Sequence, residues 1–538
     1  MKSSVKCCVL ILAATTVAAA LRLPRLGQRP MHGDEAVHAC KFGELLERGL
    51  YSYDPNEYHG PTLNYLTLIP ARLCSIERYA QLSEPTLRIV PVFFGVLLVF
   101  FVLPITAGLG PRASPWAAIL AAVSPAMVFY SRYYIQEMLL VCFTFAAIVF
   151  GYRYACSRRA TWAVLTGLSL GLMHATKETC IIAFASMLVG LGVVLIMRRC
   201  EGRRSFGEVV GAVRPWHLGV GVVAAVGVSV LFYSSFLSNP RGILDSITTY
   251  TRYFERAGNS RIHEHPWYYY LRMLTCWRYA DGPVWTEAVI VLLACVGVVA
   301  VLVKRWLGAV DIHLARFIVF YSLSMAVVYS LVQYKTPWCM LGFLHGMILL
   351  AGLGAAALIA LAPKGLSRLV VIVLLFGGSL LLLWQAYSAS YRYYADSRNP
   401  YVYAHPTTEV FEVARRVEEY AGFHRDGHNM LIDVICPGDD YWPLPWYLRR
   451  FSHVRWASKV DYDRPLAPLI IASPAVEGNL AKKLYELTPL ESRRTYLYLF
   501  DKPYYVWLRP KVKLVGFVRK DLWDAHYYND PTLAEPDK

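Results

Sequence analysis

Charged residues are scarce in this chain: they make up 17% of its 538 residues, whereas 56% are hydrophobic. So little charge excludes an ordinary soluble globular protein and predicts a polytopic α-helical membrane protein. The formal net charge of +16 would suit nucleic acid. Neither a basic face nor a nucleic-acid-binding motif is present, however, so no nucleic-acid partner is expected.

Several motifs that bind metals or nucleotides are also missing. No two of the twelve cysteines have the Cys-x-x-Cys spacing, and no His-Glu-x-x-His motif indicates a metal centre. The C-terminal tail has no Gly-x-Gly-x-x-Gly or phosphate-binding loop, so nucleotide binding is unsupported. Spacing leaves open whether the external cysteines form disulfides.

Long hydrophobic runs are abundant instead. About 18 to 25 apolar residues cross a bilayer. Eleven segments approach or reach that length, at 5–23, 86–108, 113–130, 137–155, 160–175, 179–197, 216–237, 285–303, 316–333, 340–361 and 367–388. The first segment has a basic start and small residues near its end, so a cleaved signal peptide is the alternative there.

Basic residues in the connecting segments indicate the orientation, because they accumulate on the cytoplasmic side. With the N-terminus in the cytoplasm, the inner segments hold sixteen basic residues but only Glu201, Glu208 and Asp311 as acids. The basic residues are Lys2, Lys6, Arg112, Arg153, Arg158, Arg159, Arg198, Arg199, Arg203, Arg204, Arg214, Lys304, Arg305, Arg316, Lys364 and Arg368. An odd number of spans then places the tail outside.

This topology predicts an integral protein of the cytoplasmic (inner) membrane with two domains. Residues 1–389 form the transmembrane domain, with outer loops at 24–85 and 238–284. Residues 390–538 alternate helical stretches with strand-like runs, which predicts an extracytoplasmic α/β domain. The Trp442–Trp446 stretch predicts a rigid packed turn, with guidance of an acceptor as the alternative.

The unusual polar residues all fall on the outer side, and one external cavity is expected to hold them. They are Asp34, Glu35, His59, Arg132, Glu137, Lys177, Glu178, His263, His265 and Lys335. Asp34 and Glu35 precede a predicted interfacial helix at 36–46, and a second begins at Pro61. Because the helix dipole favours carboxylates at its start, a capping role is the alternative for the acidic pair.

The order of these motifs resembles the GT-C superfamily of membrane glycosyltransferases, such as protein O-mannosyltransferases and the lipid A aminoarabinose transferase. The motifs are the stretches 32–38, 131–137 and 263–271, and the resemblance covers about residues 1 to 390. Additional stretches at 58–61, 334–338, 405–408 and 441–449 look closest to the flippase-activity-associated proteins of archaeal N-glycosylation.

The resemblance implies transfer of a sugar from a polyprenyl-phosphate donor to a glycan, lipid or protein acceptor on the non-cytoplasmic face. Such transfer needs a base for the acceptor hydroxyl, and Asp34 is the predicted base. Glu35 is expected to tune Asp34, bind sugar hydroxyls or help hold a metal. A lipid-linked-sugar flippase or transporter, and a non-catalytic membrane scaffold, are the alternatives.

Cations are expected around the leaving phosphate, whose negative charge grows as the bond to the sugar breaks. Arg132, Lys177 and Lys335 are the candidates, and interfacial anchoring is the alternative for each. His59 and His265 are also assigned to the donor phosphate, His265 because of the resemblance. The chain reads His-Glu-His there, so His263 is an equal candidate.

The sequence identifies no cofactor, and it leaves open whether the protein binds a divalent metal ion. Glu137, Glu178 and His263 are assigned as metal or sugar contacts. Their spacing matches no known metal motif, so the identity of the metal is left unknown.

Overall fold

The computed structural model describes residues 2–56, 59–202, 214–259 and 263–534. Glu57 and Tyr58, which precede His59 in the first outer loop, lie outside the described residues. So do the inner-loop residues Arg203, Arg204 and Glu208.

Long apolar helices dominate the described residues up to 392. Eight of them have the length and composition to cross a membrane: Ser4–Arg22, Glu84–Leu109, Glu137–Ser157, Cys180–Cys200, Pro215–Tyr233, Ile312–Leu331, Pro337–Leu361 and Leu366–Arg392. The pair Ser114–Val123 and Pro125–Ser131 forms a ninth span when counted as one, bent by 58°. The bend falls at Ser124, whose hydroxyl caps the second helix.

The sequence predicts eleven spans, and all eleven segments are helical. Two of them fall short, however: Ala160–His174 has 15 residues and Ala288–Val303 has 16, below the ~20 that a membrane core requires. Both pack against longer apolar helices, namely Pro215–Tyr233 and Leu341–Leu361. The number of full-length spans is therefore eight or nine among the described residues.

The remaining α-helices lie in the outer loops and the tail. They are Gly33–Arg48, Thr62–Leu73, Arg241–Asn259, Tyr269–Thr275, Val410–Ala421, Leu444–Tyr447, Glu477–Ala481 and Lys520–Tyr527. The first two are the predicted interfacial helices of the first outer loop.

The first interfacial helix, Gly33–Arg48, is capped at its start by His32. It ends before Gly49, which has a φ of 70°. Glycine adopts this left-handed conformation without strain, so it terminates the helix. The apolar residues recur at helical spacing and are buried on one face: Ala36, Ala39, Phe42 and Leu45. The helix is longer than the predicted 36–46 because His32 caps it at the backbone N–H of Asp34.

The tail folds as an α/β domain built on one mixed sheet, in agreement with the sequence prediction. Its strands are β1 (Ile432–Ile435), β2 (Val454–Ala457), β3 (Leu469–Ala472), β4 (Tyr496–Tyr498), β5 (Tyr505–Arg509) and β6 (Val512–Arg519). The order is β2-β1-β3-β6-β4, with β5 also paired to β6. The first three strands are parallel, while β6 runs antiparallel to β3, β4 and β5.

The α/β domain packs directly on the first outer loop. Trp446 is buried, and its indole nitrogen donates to Glu84 Oε1 at 2.8 Å. The guanidinium of Arg449 stacks on the Trp446 ring at 3.9 Å and donates to the backbone oxygen of Leu82 at 2.7 Å. The predicted packed turn thus joins the two domains, and it does so beside the span that begins at Glu84.

Replacing Trp446 with alanine is expected to destabilise the protein by about 3–5 kcal/mol, the usual cost of deleting a buried tryptophan. The variant also loses the Glu84 and Arg449 contacts. Thermal unfolding in detergent measures the effect. Trp267→Ala is the control, because Trp267 is 65% exposed. Equal unfolding temperatures for the two variants would contradict the packing role of Trp446.

Candidate active site

Glu35 lies at the centre of a buried ionic cluster. Arg88 donates from Nε to Oε1 and from Nη2 to Oε2 of Glu35, both at 2.8 Å. Arg29 Nη2 donates to Oε1 at 3.1 Å. All three side chains are buried, and Arg88 belongs to the membrane span Glu84–Leu109. The cluster therefore fastens the first outer loop to a span.

Two backbone N–H groups complete the coordination of Glu35. The N–H of His32 donates to Oε2 at 3.0 Å, and that of Tyr134 donates to Oε1 at 2.8 Å. The predicted capping alternative therefore applies to Glu35. Burial alone raises the pKa of this carboxyl, but the charges of Arg29 and Arg88 outweigh burial and lower the pKa to about 2.

These contacts correct the expectation that Glu35 takes part in the chemistry. Five hydrogen bonds occupy both carboxylate oxygens. The carboxylate thus has no room for a sugar hydroxyl or a metal ion. Glu35 is a structural residue that fixes the start of the first interfacial helix.

Asp34 has the opposite environment, with a side chain that is 51% exposed. Among the described residues, no group donates a hydrogen bond to its carboxylate. His32 Nδ1 lies 3.8 Å from Oδ2 of Asp34, but this nitrogen accepts the backbone N–H of Asp34 at 3.0 Å. Burial also lowers the pKa of His32. The imidazole is therefore neutral and leaves the Asp34 carboxylate without an ionic partner.

Imidazole and phenol rings surround Asp34. Burial lowers the pKa of His38 to about 3, and it also lowers the pKa of His263; the charge of Asp34 opposes both shifts. Burial raises the pKa of Tyr334 to about 12, and the charge of Asp34 adds to that shift. The ring centroids of His38 and His59 are 6.0 Å apart. At neutral pH His38 and His263 are uncharged, so they do not neutralise Asp34.

His59 and Glu178 form a second polar group next to His38. His59 Nδ1 and Glu178 Oε2 are 2.8 Å apart, and the Tyr53 hydroxyl donates to Glu178 Oε1 at 3.1 Å. Burial raises the pKa of Glu178, but the adjacent His59 outweighs burial and lowers it. The structure thus pairs a residue assigned to the phosphate with one assigned to sugar or metal.

Lys177, which precedes Glu178 in the sequence, forms a buried ion pair with Glu137. Burial lowers the pKa of the Lys177 ammonium, but the Glu137 carboxylate outweighs burial and raises it. Only one proton of the ammonium is used by Glu137, so two donors remain. Among the described residues, no group contacts the buried Oε2 of Glu137.

Lys177 and Glu137 both line a small pocket between the spans. Polar groups are confined to a few positions, while apolar and aromatic side chains from four spans line the rest: Leu140, Val141, Ala183, Met325, Tyr329 and Trp338. A pocket with an ammonium group and an apolar wall between spans suits a lipid with a charged headgroup.

Lys335 is buried and uses its ammonium group inside the protein. Its Nζ donates to the backbone oxygen of His265 at 3.0 Å and to that of Val332. Burial lowers its pKa. Lys335 therefore supports the loop that carries the predicted histidines, and one ammonium proton remains available.

Arg132 makes several contacts that the sequence did not predict. Its Nη1 donates to the backbone oxygens of Arg22 and Pro24, at 2.8 and 2.7 Å, and to the hydroxyl of Tyr391 at 2.9 Å. Its Nη2 donates to the backbone oxygen of Arg25 at 3.2 Å. These bonds hold the chain segment that leads into the first outer loop, and they use Nη1 and one hydrogen of Nη2. Among the described residues, no group accepts the Nε hydrogen or the second Nη2 hydrogen, so a phosphate contact of Arg132 stays a prediction.

The histidines of the His-Glu-His stretch meet at one tyrosine of the tail. His263 Nδ1 lies 2.5 Å from the Tyr403 hydroxyl oxygen, and His265 Nε2 lies 3.1 Å from it. Both histidines are therefore part of one cluster. Within the described part of the chain, no group of three or more histidine, cysteine, aspartate and glutamate residues is arranged to hold a metal ion.

Three site residues were not identified from the sequence: Arg29, Arg88 and Tyr403. An arginine inside an apolar span is a signal in itself, and Arg88 lies within 86–108. Tyr403 gave no comparable signal, because aromatic residues crowd the tail and belts at the membrane interface explain most of them.

Structural comparison defines the class of protein. ArnT from Cupriavidus metallidurans bound to undecaprenyl phosphate aligns with a TM-score of 0.59 at 16% identity, covering 98% of this chain and 99% of ArnT. Two structures of the Archaeoglobus fulgidus oligosaccharyltransferase align over 93% and 94% of this chain. The one tethered with an acceptor peptide has a TM-score of 0.53, 13% identity and 73% of its own chain covered. The one with an inhibitory peptide and a dolichol-phosphate has 0.51, 12% and 74%. The chain has the GT-C fold.

Sequence comparison supports the same class. Residues 60–233 match the family described as dolichyl-phosphate-mannose-protein mannosyltransferase. No curated protein sequence matches the chain significantly. The family match covers about a third of the chain, and the solved structures show that the chain shares their fold.

Glu35→Gln is expected to destabilise the protein by about 3–5 kcal/mol, because two buried guanidinium groups lose their counter-charge. Thermal unfolding in detergent measures the loss. Asp34→Asn is the matched control, since it removes the neighbouring charge from an exposed side chain. A Glu35→Gln variant as stable as Asp34→Asn would contradict the structural role.

The same cluster predicts a pH dependence of stability. The folded-state pKa of Glu35 lies below the ordinary value of 4.5, at about 2. Its stabilising contribution is therefore complete above about pH 4.5 and is lost as the pH falls towards 2. The difference in unfolding free energy between the native protein and Glu35→Gln, measured over this range, should shrink on acidification.

Proposed function

We propose that the protein transfers a sugar from a polyprenyl-phosphate donor to an acceptor hydroxyl on the non-cytoplasmic face of the membrane, with Asp34 as the general base. The observation that carries this proposal is the free carboxylate of Asp34, exposed among neutral rings. The two structural neighbours that hold undecaprenyl phosphate and dolichol-phosphate support this class of donor. The basic inner segments support the orientation.

The apolar pocket next to Lys177 is the proposed site of the polyprenyl chain. Its walls come from four spans, which supports a lipid as its occupant. Lys177 then faces the donor phosphate with two spare donors, and Glu137 holds the ammonium in place. A buried ammonium aimed at the leaving phosphate stabilises the charge that develops as the sugar departs.

The transfer step balances as a direct displacement. The acceptor oxygen forms a bond to the anomeric carbon while the bond from that carbon to the phosphate oxygen breaks. The electron pair of the broken bond leaves on the lipid phosphate, and the acceptor proton moves to the Asp34 carboxylate. Displacement by this route inverts the configuration of the sugar.

Asp34→Asn is expected to lower kcat about 10²–10⁴-fold, the range for loss of a general base. The assay incubates the purified protein with labelled polyprenyl-phosphate sugars and measures release of lipid phosphate. The thermal unfolding temperature should stay at the native value, because the carboxylate has no hydrogen-bond donor to lose. A folded Asp34→Asn variant with native kcat would remove Asp34 as the base.

The role of Lys177 is tested with a paired substitution. Lys177→Gln combined with Glu137→Gln removes both charges together and leaves no buried ion uncompensated. Loss of a charged hydrogen bond to phosphate costs about 1.5–3 kcal/mol, so the Kd for polyprenyl phosphate should rise at least tenfold. Glu137→Asp, which keeps both charges of the pair, should bind the lipid close to native affinity. Equal affinities for the double variant and the native protein would exclude Lys177 from the phosphate site.

A further inference from the structure

The segment that connects the last span to the sheet passes through the active site. This connecting segment, residues 393–409, would be a linker if the tail were an independent domain. Instead Tyr401 and His405 are buried in it. The His405 ring stacks on Tyr133 at 5.3 Å and lies 4.9 Å from His32. The connecting segment therefore contributes a wall next to Asp34.

Tyr403 is the residue of this wall that contacts both outer loops. Its phenol oxygen lies within hydrogen-bond distance of His263 and His265, at 2.5 and 3.1 Å. Its backbone oxygen accepts the Nε2 proton of His32 at 3.1 Å. The other nitrogen of His32 accepts the backbone N–H of Asp34. Tyr403 thus connects the helix start that carries Asp34 with the two histidines of the later loop.

One phenol cannot treat two neutral imidazoles alike. The pKa values of His263 and His265 are lowered by burial, so each ring carries one N–H and one lone pair. The phenol has a single proton. One histidine must accept that proton in a hydrogen bond, and the other must donate to the phenol oxygen.

This asymmetry fixes the free nitrogens as well. In both arrangements, the imidazole that accepts from the phenol keeps an N–H on its other nitrogen, and the imidazole that donates keeps a lone pair there. The pair His263 and His265 therefore always presents one donor and one acceptor. A hydroxyl-bearing substrate needs both kinds of partner.

The backbone around His263 is held as firmly as the ring. His263 has a φ of 65°, a left-handed conformation that is uncommon outside glycine and persists only where the surroundings enforce it. Its backbone oxygen accepts the N–H of Lys335 at 3.0 Å, and the Lys335 ammonium holds the backbone oxygen of His265 at 3.0 Å. Lys335 fixes the loop, Tyr269 stacks on the His265 ring at 4.1 Å, and Tyr403 contacts one nitrogen of each ring.

We propose that Tyr403 is a positioning residue of the transfer reaction: its phenol sets the orientation and tautomers of His263 and His265, so that the connecting segment of the tail is a required part of the active site. This inference rests on the proposed function. It adds that the hydroxyl of the sugar acceptor meets two imidazole nitrogens of His263 and His265 next to Asp34. One of these nitrogens donates a hydrogen bond and the other accepts one.

Tyr403→Phe tests the proposal, because it removes the hydroxyl and keeps the ring, which packs 6.1 Å from Trp338. We expect kcat to fall about 10–100-fold, the range for groups that orient a functional histidine, with the KM for the donor lipid within about twofold of native. Tyr498→Phe is the matched control, since that phenol is 46% exposed on the sheet and contacts Glu477. Native kcat in Tyr403→Phe would overturn the proposal.

A second measurement does not depend on transfer activity. Diethyl pyrocarbonate acylates unprotonated imidazole nitrogens, and peptide mass spectrometry gives the rate at each histidine. Removing the phenol frees a nitrogen on each ring, so His263 and His265 should react several-fold faster in Tyr403→Phe than in Tyr498→Phe. Unchanged rates would overturn the proposal even if kcat fell.

The two measurements also separate this inference from the proposed function. If the native protein releases no lipid phosphate from any donor tested, the proposed function fails. The acylation rates then still decide whether Tyr403 fixes the histidine pair.

Discussion

The buried carboxylate of Glu35 is the contact on which the site depends. It draws together Arg29 from the loop, Arg88 from a membrane span and the backbone of Tyr134. A buried ion pair adds little net stability, because desolvation offsets the attraction. Breaking it is costly, however, since the remaining charges are left uncompensated. We infer that the cluster serves geometry: it allows one position for the first interfacial helix, and hence one position for Asp34.

The acidic pair then separates into two roles through helix geometry alone. Adjacent residues on a helix point about 100° apart, because a turn holds 3.6 residues. With Glu35 directed into the protein, Asp34 points about 100° away and keeps a side chain that is 51% exposed. Two guanidinium groups keep Glu35 ionised against the effect of burial, whereas Asp34 retains a solvent-accessible carboxylate. Exchanging their order would reverse the roles. The order Asp-Glu therefore determines which acid is buried, and the presence of two acids alone does not.

Much of this could be predicted from residue types and run lengths, and the failures have a common cause. Hydrophobic length located every long helix, whereas the roles that outer-side polarity suggested for Asp34, Lys177 and both histidines stay predictions. The backbone contacts of Arg132 were not predicted, because a guanidinium suits backbone oxygens as well as a phosphate, and only the fold shows which lies nearby. Arg88 lies 53 residues from Glu35, a pairing that no local pattern encodes. Tyr403 was missed because a domain boundary at residue 389 assigned it to the tail.

The distribution of cations explains how Asp34 can act as a base. A guanidinium beside a carboxylate stabilises its charged form and makes it reluctant to take a proton. The arginines of this region form other contacts: Arg29 and Arg88 donate to Glu35, and Arg132 donates to backbone oxygens. The cation with donors to spare, Lys177, is held by Glu137 at the mouth of the apolar pocket. Keeping arginines away from Asp34 preserves its basicity, and placing an ammonium at the pocket directs positive charge to where a phosphate leaves.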